Sequence, residues 1–217
     1  SPQQVDHDIT IVNNICLTLD ANWAEKASGS LNRRHGIIVS YGGGAASGRI
    51  TVTGNVCRNT LVGGIYSSGG TSGQHALTIT GNVCSLNGFS STSDNTICGG
   101  ITINGGVPAL VLSNNVIHDF QGTTAAGVGG ITYNGSTFDG DSSALIVNNT
   151  INKSTAYGII LKGDPYNVTV SGNITKNITY TDIAMETLNS SGANVKNIRI
   201  IGNECTRANV NRPCIWL

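Results

Sequence analysis

The sequence has little charge and few aromatic residues. Of its 217 residues, 11% are charged and 5% are aromatic, whereas roughly 25% of an ordinary soluble chain is charged. Twelve basic residues balance twelve acidic ones, so no overall field attracts nucleic acid or an anionic membrane. The same scarcity excludes a coiled coil, a basic arm and an acidic tail. We therefore expect no nucleic-acid partner.

Long apolar runs are also missing. No run approaches the roughly 18 apolar residues of a membrane helix, so we expect no membrane insertion. The first residues, SPQQVDHD, lack the basic and apolar regions of a signal peptide. The chain is instead rich in glycine and asparagine, which make up a quarter of it. That mixture is unfavourable inside helices and suits turns and short strands, so the composition predicts an all-β protein.

Seven segments of the chain share one pattern. They are ITIVNNIC (9–16), ITVTGNVC (50–57), LTITGNVC (77–84), LVLSNNVI (110–117), ALIVNNTI (144–151), VTVSGNIT (168–175) and IRIIGNEC (198–205). The second residue of each NN or GN pair recurs every 24 to 41 residues, at Asn14, Asn55, Asn82, Asn115, Asn149, Asn173 and Asn203. Such a variable period indicates a constant structural unit joined by variable loops.

Each repeat predicts a strand that ends at a corner. The residues five and three before the register asparagine are apolar, and the residue between them is mostly polar. This alternation is typical of a strand with one face inward. The residue directly before the asparagine is always Gly or Asn, the two types that best tolerate a positive φ. We therefore expect a left-handed corner there, with the register asparagines stacked as an amide ladder.

A second short strand follows the corner, with an inward residue two places past the register asparagine, and a third strand, which usually begins with Gly-Ile, closes each unit. The third strand is GIIVS (36–40), GIYSS (64–68), GITIN (100–104), GITYN (130–134), GIILK (158–162), DIAME (182–186) or CIWL (214–217). Three short strands per unit, repeated in register, describe one coil of a parallel β-solenoid. The sequence predicts a single domain over residues 1–217 with about seven three-strand coils.

These repeats resemble the right-handed parallel β-helix of the pectate-lyase-like superfamily, whose generic form is nvtIsgNtI…GI. The resemblance covers essentially the whole chain, and it implies the right-handed sense of the coils. Lyases, hydrolases, epimerases, phage tailspikes and adhesins share this fold, so it specifies function only broadly. It implies a protein that interacts with polysaccharide and is located outside the cell, at a cell surface or on a virion.

Four cysteines fall on one inward column of the repeats. Cys16, Cys57, Cys84 and Cys205 stand where other coils carry Ile or Thr, so we expect buried free thiols. Their side chains would be parallel, which suits neither a disulfide nor a tetrahedral zinc site. We expect no metal and no cofactor. The segment FDGDSS (138–143) favours a turn over a calcium loop because further acidic ligands are lacking.

Outward positions of the third strands are the candidate sugar-binding surface. Stacking rings and polar partners are expected there from Tyr66, Thr102, Asn104, Thr132, Asn134 and Trp216. An aromatic ring offers a flat face to a sugar, and the amides and hydroxyls offer hydrogen bonds. The alternative is an ordinary solvated sheet face.

One group of charged residues is the candidate catalytic centre. It consists of Lys162, Asp164, Asp182 and Glu186, on adjacent coils. Lys162 could take a proton in a lyase, whereas Glu186 and Asp164 could be the acid and base of a glycosidase. The alternative is a surface salt bridge. The aspartate cluster and arginine of the calcium pectate lyases do not line up here, so the resemblance does not decide whether the chain is an enzyme.

Two further groups contain histidine. Arg33, Arg34 and His35 could bind a carboxylate or phosphate, or could form a loop salt bridge. His118 and Asp119 are consecutive, and neighbours on a strand point to opposite faces. We therefore expect these two not to form a catalytic dyad.

The chain ends and one insertion complete the expectations. Residues 20–27, DANWAEKA, are the one helix-like stretch. Neither end resembles a cap, so we expect a piece of a longer chain or an oligomer, with a homotrimer first and an end-to-end fibre second.

The sequence favours a carbohydrate-interacting β-helix, acting as a lyase or glycosidase if it is an enzyme. The alternative is a structural or adhesive solenoid without catalysis.

Overall fold

The computed structural model describes residues 7–17, 35–40, 47–60, 63–68, 74–85, 99–105, 107–120, 128–135, 143–186, 195–207 and 211–217. Within these ranges there are strands and turns and no helix. The helix expected at residues 20–27 lies outside the described residues, as does most of the FDGDSS segment.

The strands form three sheets of seven, and every pairing between neighbours is parallel. The first sheet contains β1 (His7–Val12), β4 (Ser47–Thr53), β7 (Gln74–Thr80), β10 (Ala109–Ser113), β13 (Ser143–Val147), β16 (Val168–Ser171) and β19 (Arg199–Ile201). The second contains β2 (Ile15–Leu17), β5 (Val56–Arg58), β8 (Val83–Ser85), β11 (Val116–Phe120), β14 (Thr150–Ser154), β17 (Ile174–Ile178) and β20 (Glu204–Arg207). The third contains β3 (His35–Ser40), β6 (Gly63–Ser68), β9 (Gly99–Asn104), β12 (Gly129–Gly135), β15 (Tyr157–Gly163), β18 (Ile183–Glu186) and β21 (Ile215–Trp216).

Each coil contributes one strand to each sheet, which is the arrangement of a parallel β-helix. The register follows the predicted columns: Ile9 pairs with Ile50, and Leu77 pairs with Leu110. The expected all-β parallel β-helix of about seven coils is therefore confirmed.

The corner between the first and second strands of every coil is left-handed. The φ angles are 56° at Asn13, 66° at Gly54, 65° at Gly81, 56° at Asn114, 55° at Asn148, 63° at Gly172 and 62° at Gly202. In this conformation the Cβ atom lies close to the following carbonyl oxygen, and Gly and Asn tolerate it best. The exclusive use of these two residues before the register asparagine thus has a backbone cause.

The register asparagines form a continuous ladder. From Asn14 to Asn203, each side-chain amide nitrogen donates to the side-chain oxygen of the next coil at 2.9 to 3.0 Å. The same oxygen also accepts the backbone N–H of the preceding asparagine, for example from Asn82 to Asn115 at 3.0 Å. The five inner members are fully buried. Burial without these bonds would be costly, so the ladder fixes the register of the coils.

The interior consists of stacked aliphatic columns. Ile79, Leu112 and Ile146 of the first sheet are fully buried, as are Ile101 and Ile159 of the third. Cys57 and Cys84 are buried on the second sheet, Cys16 and Cys205 are partly buried there, and none of the four forms a disulfide. In the two outermost coils the expected inward residues are more open, with Ile9 at 48% and Ile215 at 44% exposure.

A close contact explains the glycine before the isoleucine in the third strands. A Cβ added at Gly64 would lie 2.5 Å from Cys84 Sγ and 2.7 Å from the Gly100 carbonyl oxygen. A Cβ added at Gly130 would similarly lie 2.6 Å from a methyl carbon of Ile151. These positions face the interior and have no room for a side chain. The sixth coil is the exception, because Asp182 takes the position that corresponds to Gly158 and its side chain is accommodated there at 1% exposure.

Candidate functional site

The outer face of the third sheet carries most of the residues predicted to bind sugar, but one column of that face is closed. Tyr66 is 5% exposed, Thr132 is 1% exposed, and Thr102 is fully buried. The expectation that these three side chains form an open surface is therefore wrong. Alternation along a strand predicts that they point away from the interior, but it does not predict what packs over them.

The next outward column remains accessible, and we call it the outer row. It consists of five half-buried residues, namely Ser68, Asn104, Asn134, Lys162 and Glu186. The register pairs each member with the next, so successive members lie about 4.8 Å apart along the solenoid. A regular row of polar side chains is thus presented to solvent.

Hydrogen bonds order the first half of the outer row. Asn134 Nδ2 donates to Asn104 Oδ1 at 2.9 Å, and Asn104 Nδ2 donates to the Tyr66 hydroxyl at 3.3 Å. The ring of Tyr66 stacks on His35, with centroids 4.7 Å apart and planes 22° apart. His35 therefore supports this end of the row, whereas Arg33 and Arg34 lie outside the described residues.

The second half of the row is charged. Lys162 and Glu186 are partners in the strand register, as the sequence predicts. Glu186 Oε1 also accepts a hydrogen bond of 2.7 Å from the Tyr157 hydroxyl. Burial and this carboxylate together raise the pKa of Tyr157, which keeps its phenol protonated. The repeat pattern did not indicate Tyr157, although this residue occupies the start of β15, where the preceding two coils carry Gly99 and Gly129.

The two predicted aspartates are not on the outer row. Asp182 is 1% exposed and lies at the interior glycine position, so it is not one of the solvent-facing residues of the row. Asp164 is half-buried in the turn after β15, directly after Gly163, whose φ is 75°. Its Oδ1 is buried without a hydrogen-bond partner in the described part of the chain. Of the proposed catalytic group, only Lys162 and Glu186 are brought together on one surface.

A small cavity lies at the end of the same face. It has a volume of about 260 Å³ and is lined by Tyr180, Thr181, Arg212, Pro213 and Trp216. The Arg212 guanidinium carbon lies 4.2 Å from the centroid of the Tyr180 ring, a cation–π contact. Trp216 is 44% exposed, so its ring is available to a ligand. The sequence indicated Trp216 alone, because the approach of Tyr180 and Arg212 depends on loop geometry.

The second sheet has an unexpected cluster on its outer face. His118 Nδ1 lies 3.2 Å from Asp119 Oδ2, so these consecutive side chains share one face. The expectation of opposite faces is wrong because Asp119 has a φ of 56°, which interrupts the alternation of the strand. Lys153 Nζ lies 2.6 Å from Asp119 Oδ1. We call these three residues the His118 cluster.

Neither the geometry of the described residues nor similarity to known proteins assigns a function to the chain. The described ranges contain no group of three or more His, Cys, Asp or Glu residues placed to hold a metal, and no helix suited to crossing a membrane. No family model, curated protein or solved structure matches the chain. A function for this chain is therefore inferred from its fold and from the residues described above.

Proposed function

We propose that the protein is a carbohydrate-interacting β-helix that binds polysaccharide along the outer row. The observation that carries this proposal is the ordered amide pair Asn104–Asn134, continued by Lys162 and Glu186 at a constant spacing. Each amide both donates and accepts, which matches sugar hydroxyl groups. A repeating ligand suits a repeating row better than an isolated small molecule does.

The Trp216 cavity extends the proposed surface at one end. A sugar ring can stack on the exposed indole while its hydroxyl groups bond to Arg212. The cavity and the charged half of the row lie on neighbouring coils of one face, because β18 pairs with both β15 and β21. A polysaccharide chain lying along the solenoid would contact both.

We further infer a right-handed helix of the pectate-lyase-like kind. The three parallel sheets and the asparagine ladder support this membership. Crossovers between parallel strands are right-handed in almost all proteins, which supports the same sense of the coils.

A panel of acidic and neutral polysaccharides tests the proposal. Binding should weaken at least about tenfold when Asn104→Ala and Asn134→Ala are combined, because two hydrogen-bonding groups are lost. The matched control combines Asn152→Ala with Asn177→Gly, which removes an exposed amide pair of 3.0 Å from the second sheet and keeps a residue that tolerates the positive φ of Asn177. Binding that is unaffected by the first pair, or equally affected by both pairs, contradicts the outer row as the binding surface.

Catalysis at Lys162 and Glu186 is tested with the same panel. A lyase leaves new unsaturated ends and a glycosidase leaves new reducing ends. Lys162→Met should abolish the first product, and Glu186→Gln the second. Binding without either product would make the protein a binding module and not an enzyme.

The second candidate function is a structural or adhesive solenoid. The buried column of Tyr66, Thr102 and Thr132 favours it, because these outward residues are not accessible to a ligand. This candidate predicts self-association, with a homotrimer first and an end-to-end fibre second. Light scattering at tens of micromolar would detect either assembly, and a monomer that binds polysaccharide would contradict the structural candidate.

A further inference from the structure

The His118 cluster fixes the imidazole of His118 in one tautomer. An ionised carboxylate can only accept hydrogen bonds, so His118 Nδ1 must donate to Asp119 Oδ2 across 3.2 Å. The Lys153 ammonium and the His118 ring hold the pKa of Asp119 below its usual value, so the carboxylate stays ionised near neutral pH. In the neutral ring the proton is therefore on Nδ1, and Nε2 is the basic atom.

The base of the cluster is accessible. The His118 side chain is 41% exposed, that of Lys153 is 69% exposed, and that of Asp119 is 25% exposed. Among the described residues, none makes a hydrogen bond to His118 Nε2. Ser85 of β8 and Asn152 of β14 flank His118 in the ladder, and both are uncharged. Asp119 and Lys153 are thus the charged groups that face the ring from β11 and β14.

A second left-handed corner lies four residues past the register asparagine, and its backbone is strained in the two coils that carry the cluster. The φ angles are 56° at Asn59, 56° at Asp119, 63° at Lys153 and 55° at Asn177. Asparagine adopts this conformation readily, whereas a lysine pays roughly 1 kcal/mol. The two residues that depart from asparagine are the two that form the 2.6 Å ion pair beside His118. Residues with a strained backbone are often found at functional sites, where the strain holds a side chain in a particular orientation.

We propose that the His118 cluster is a general-base centre that hydrolyses an ester group of a ligand lying on the outer face of the second sheet. His118 Nε2 removes a proton from water while the water oxygen bonds to the carbonyl carbon. The resulting imidazolium returns that proton to the departing alkoxide as the ester C–O bond breaks. The products are an acid and an alcohol, and no cofactor or oxidant is consumed. Asp119 and Lys153 are positioning residues.

The proposal is independent of polysaccharide binding on the third sheet, and an ester hydrolysis assay tests it directly. Ethyl dichloroacetate is the probe, because its leaving group is an alkoxide that must take up a proton, and the wild-type rate is compared with that of 4-methylimidazole at equal concentration. The wild-type protein should be faster, and His118→Gln should lower its rate at least about tenfold. Wild-type and His118→Gln proteins with equal rates would overturn the proposal.

The Asp119→Asn variant separates positioning from folding. Asparagine occupies this corner at Asn59 and Asn177, so the substitution should leave the fold unchanged. An amide can donate to Nδ1, so the ring can adopt the other tautomer and the rate should drop several-fold. Glu204→Gln is the matched control, since Glu204 pairs with Lys176 at 3.4 Å on the same sheet and should not affect hydrolysis.

Two readouts exclude a merely structural role. In the wild-type protein, ¹⁵N NMR should show the Nδ1–H tautomer of His118, and Asp119→Asn should shift the ring towards the Nε2–H form. Ser85→Ala should keep the activity, because the attacking group is water. An Nε2–H tautomer in the wild type, or loss of activity in Ser85→Ala, would overturn the assignment.

Discussion

Asn115 Nδ2 donates to Asn149 Oδ1 across 3.0 Å, and both side chains are fully buried at the same corner of successive coils. The Asn115 oxygen in turn accepts from the backbone and side chain of Asn82. One amide therefore satisfies groups in three coils, so the ladder should contribute strongly to stability.

Replacing Asn115 with alanine should lower the free energy of unfolding by about 3 kcal/mol, because buried donors of Asn82 lose their acceptor. The control is Asn152→Ala. Asn177 donates to Asn152 at 3.0 Å, but the pair is exposed and Asn152 has an ordinary backbone conformation, so less than about 1 kcal/mol should be lost. Urea denaturation measures both variants. Equal losses would mean that the ladder does not depend on burial.

Two glycines should respond differently to alanine. Gly81 has a φ of 65° and open space around its added Cβ, so Gly81→Ala should cost only about 1 kcal/mol of backbone strain. At Gly64 the added Cβ would meet Cys84 Sγ at 2.5 Å, so the cost should be larger, about 3 kcal/mol. The order of the two denaturation midpoints is the test, and the reverse order would contradict the interior placement of Gly64.

The interior thiols should be unreactive in the native protein. The neighbouring Cys84 thiol and burial raise the pKa of Cys57, so its thiolate is scarce at neutral pH. Alkylation with iodoacetamide, followed by peptide mass spectrometry, should label the partly exposed Cys214 well before Cys57 or Cys84. Equal labelling rates without denaturant would show that the second sheet opens.

Stability should decline at high pH because of Tyr133. Burial raises the pKa of Tyr133 to about 12, above its ordinary value of 10.0. Its contribution is complete below pH 10 and is lost as the pH rises to 12, because the unfolded chain releases the proton first. The difference in unfolding free energy between the wild type and Tyr133→Phe should therefore shift in favour of the variant between pH 8 and pH 11. A constant difference would contradict a buried phenol.

The features that the sequence predicted are those that recur in every coil. The left-handed residue before each register asparagine, the amide ladder and the buried aliphatic columns follow from local rules applied seven times. Because each position of the repeat can be compared in seven coils, one atypical residue, such as Glu204 after Asn203, does not obscure the pattern.

The features that the sequence analysis missed depend on single residues or on packing. Asp182 was placed outside because the interior glycine column became apparent only from the contact between Gly64 and Cys84. The closure of Tyr66 depends on what packs over the sheet, which alternation does not encode. The His118–Asp119 contact needed a positive φ at an aspartate, and the asparagine at the same corner in the sixth coil, Asn177, was the available signal.

The most direct test of the central claim is a ¹⁵N NMR titration of the protein with the oligosaccharides of whichever polysaccharide it binds. The side-chain amide signals of Asn104 and Asn134 should shift with saturation, as should the indole N–H of Trp216, because all three lie on the outer face of the third sheet. The amide signals of Asn152 and Asn177 on the second sheet should remain in place. Shifts confined to the second sheet, or no shift with any of the polysaccharides, would contradict carbohydrate binding on the outer row.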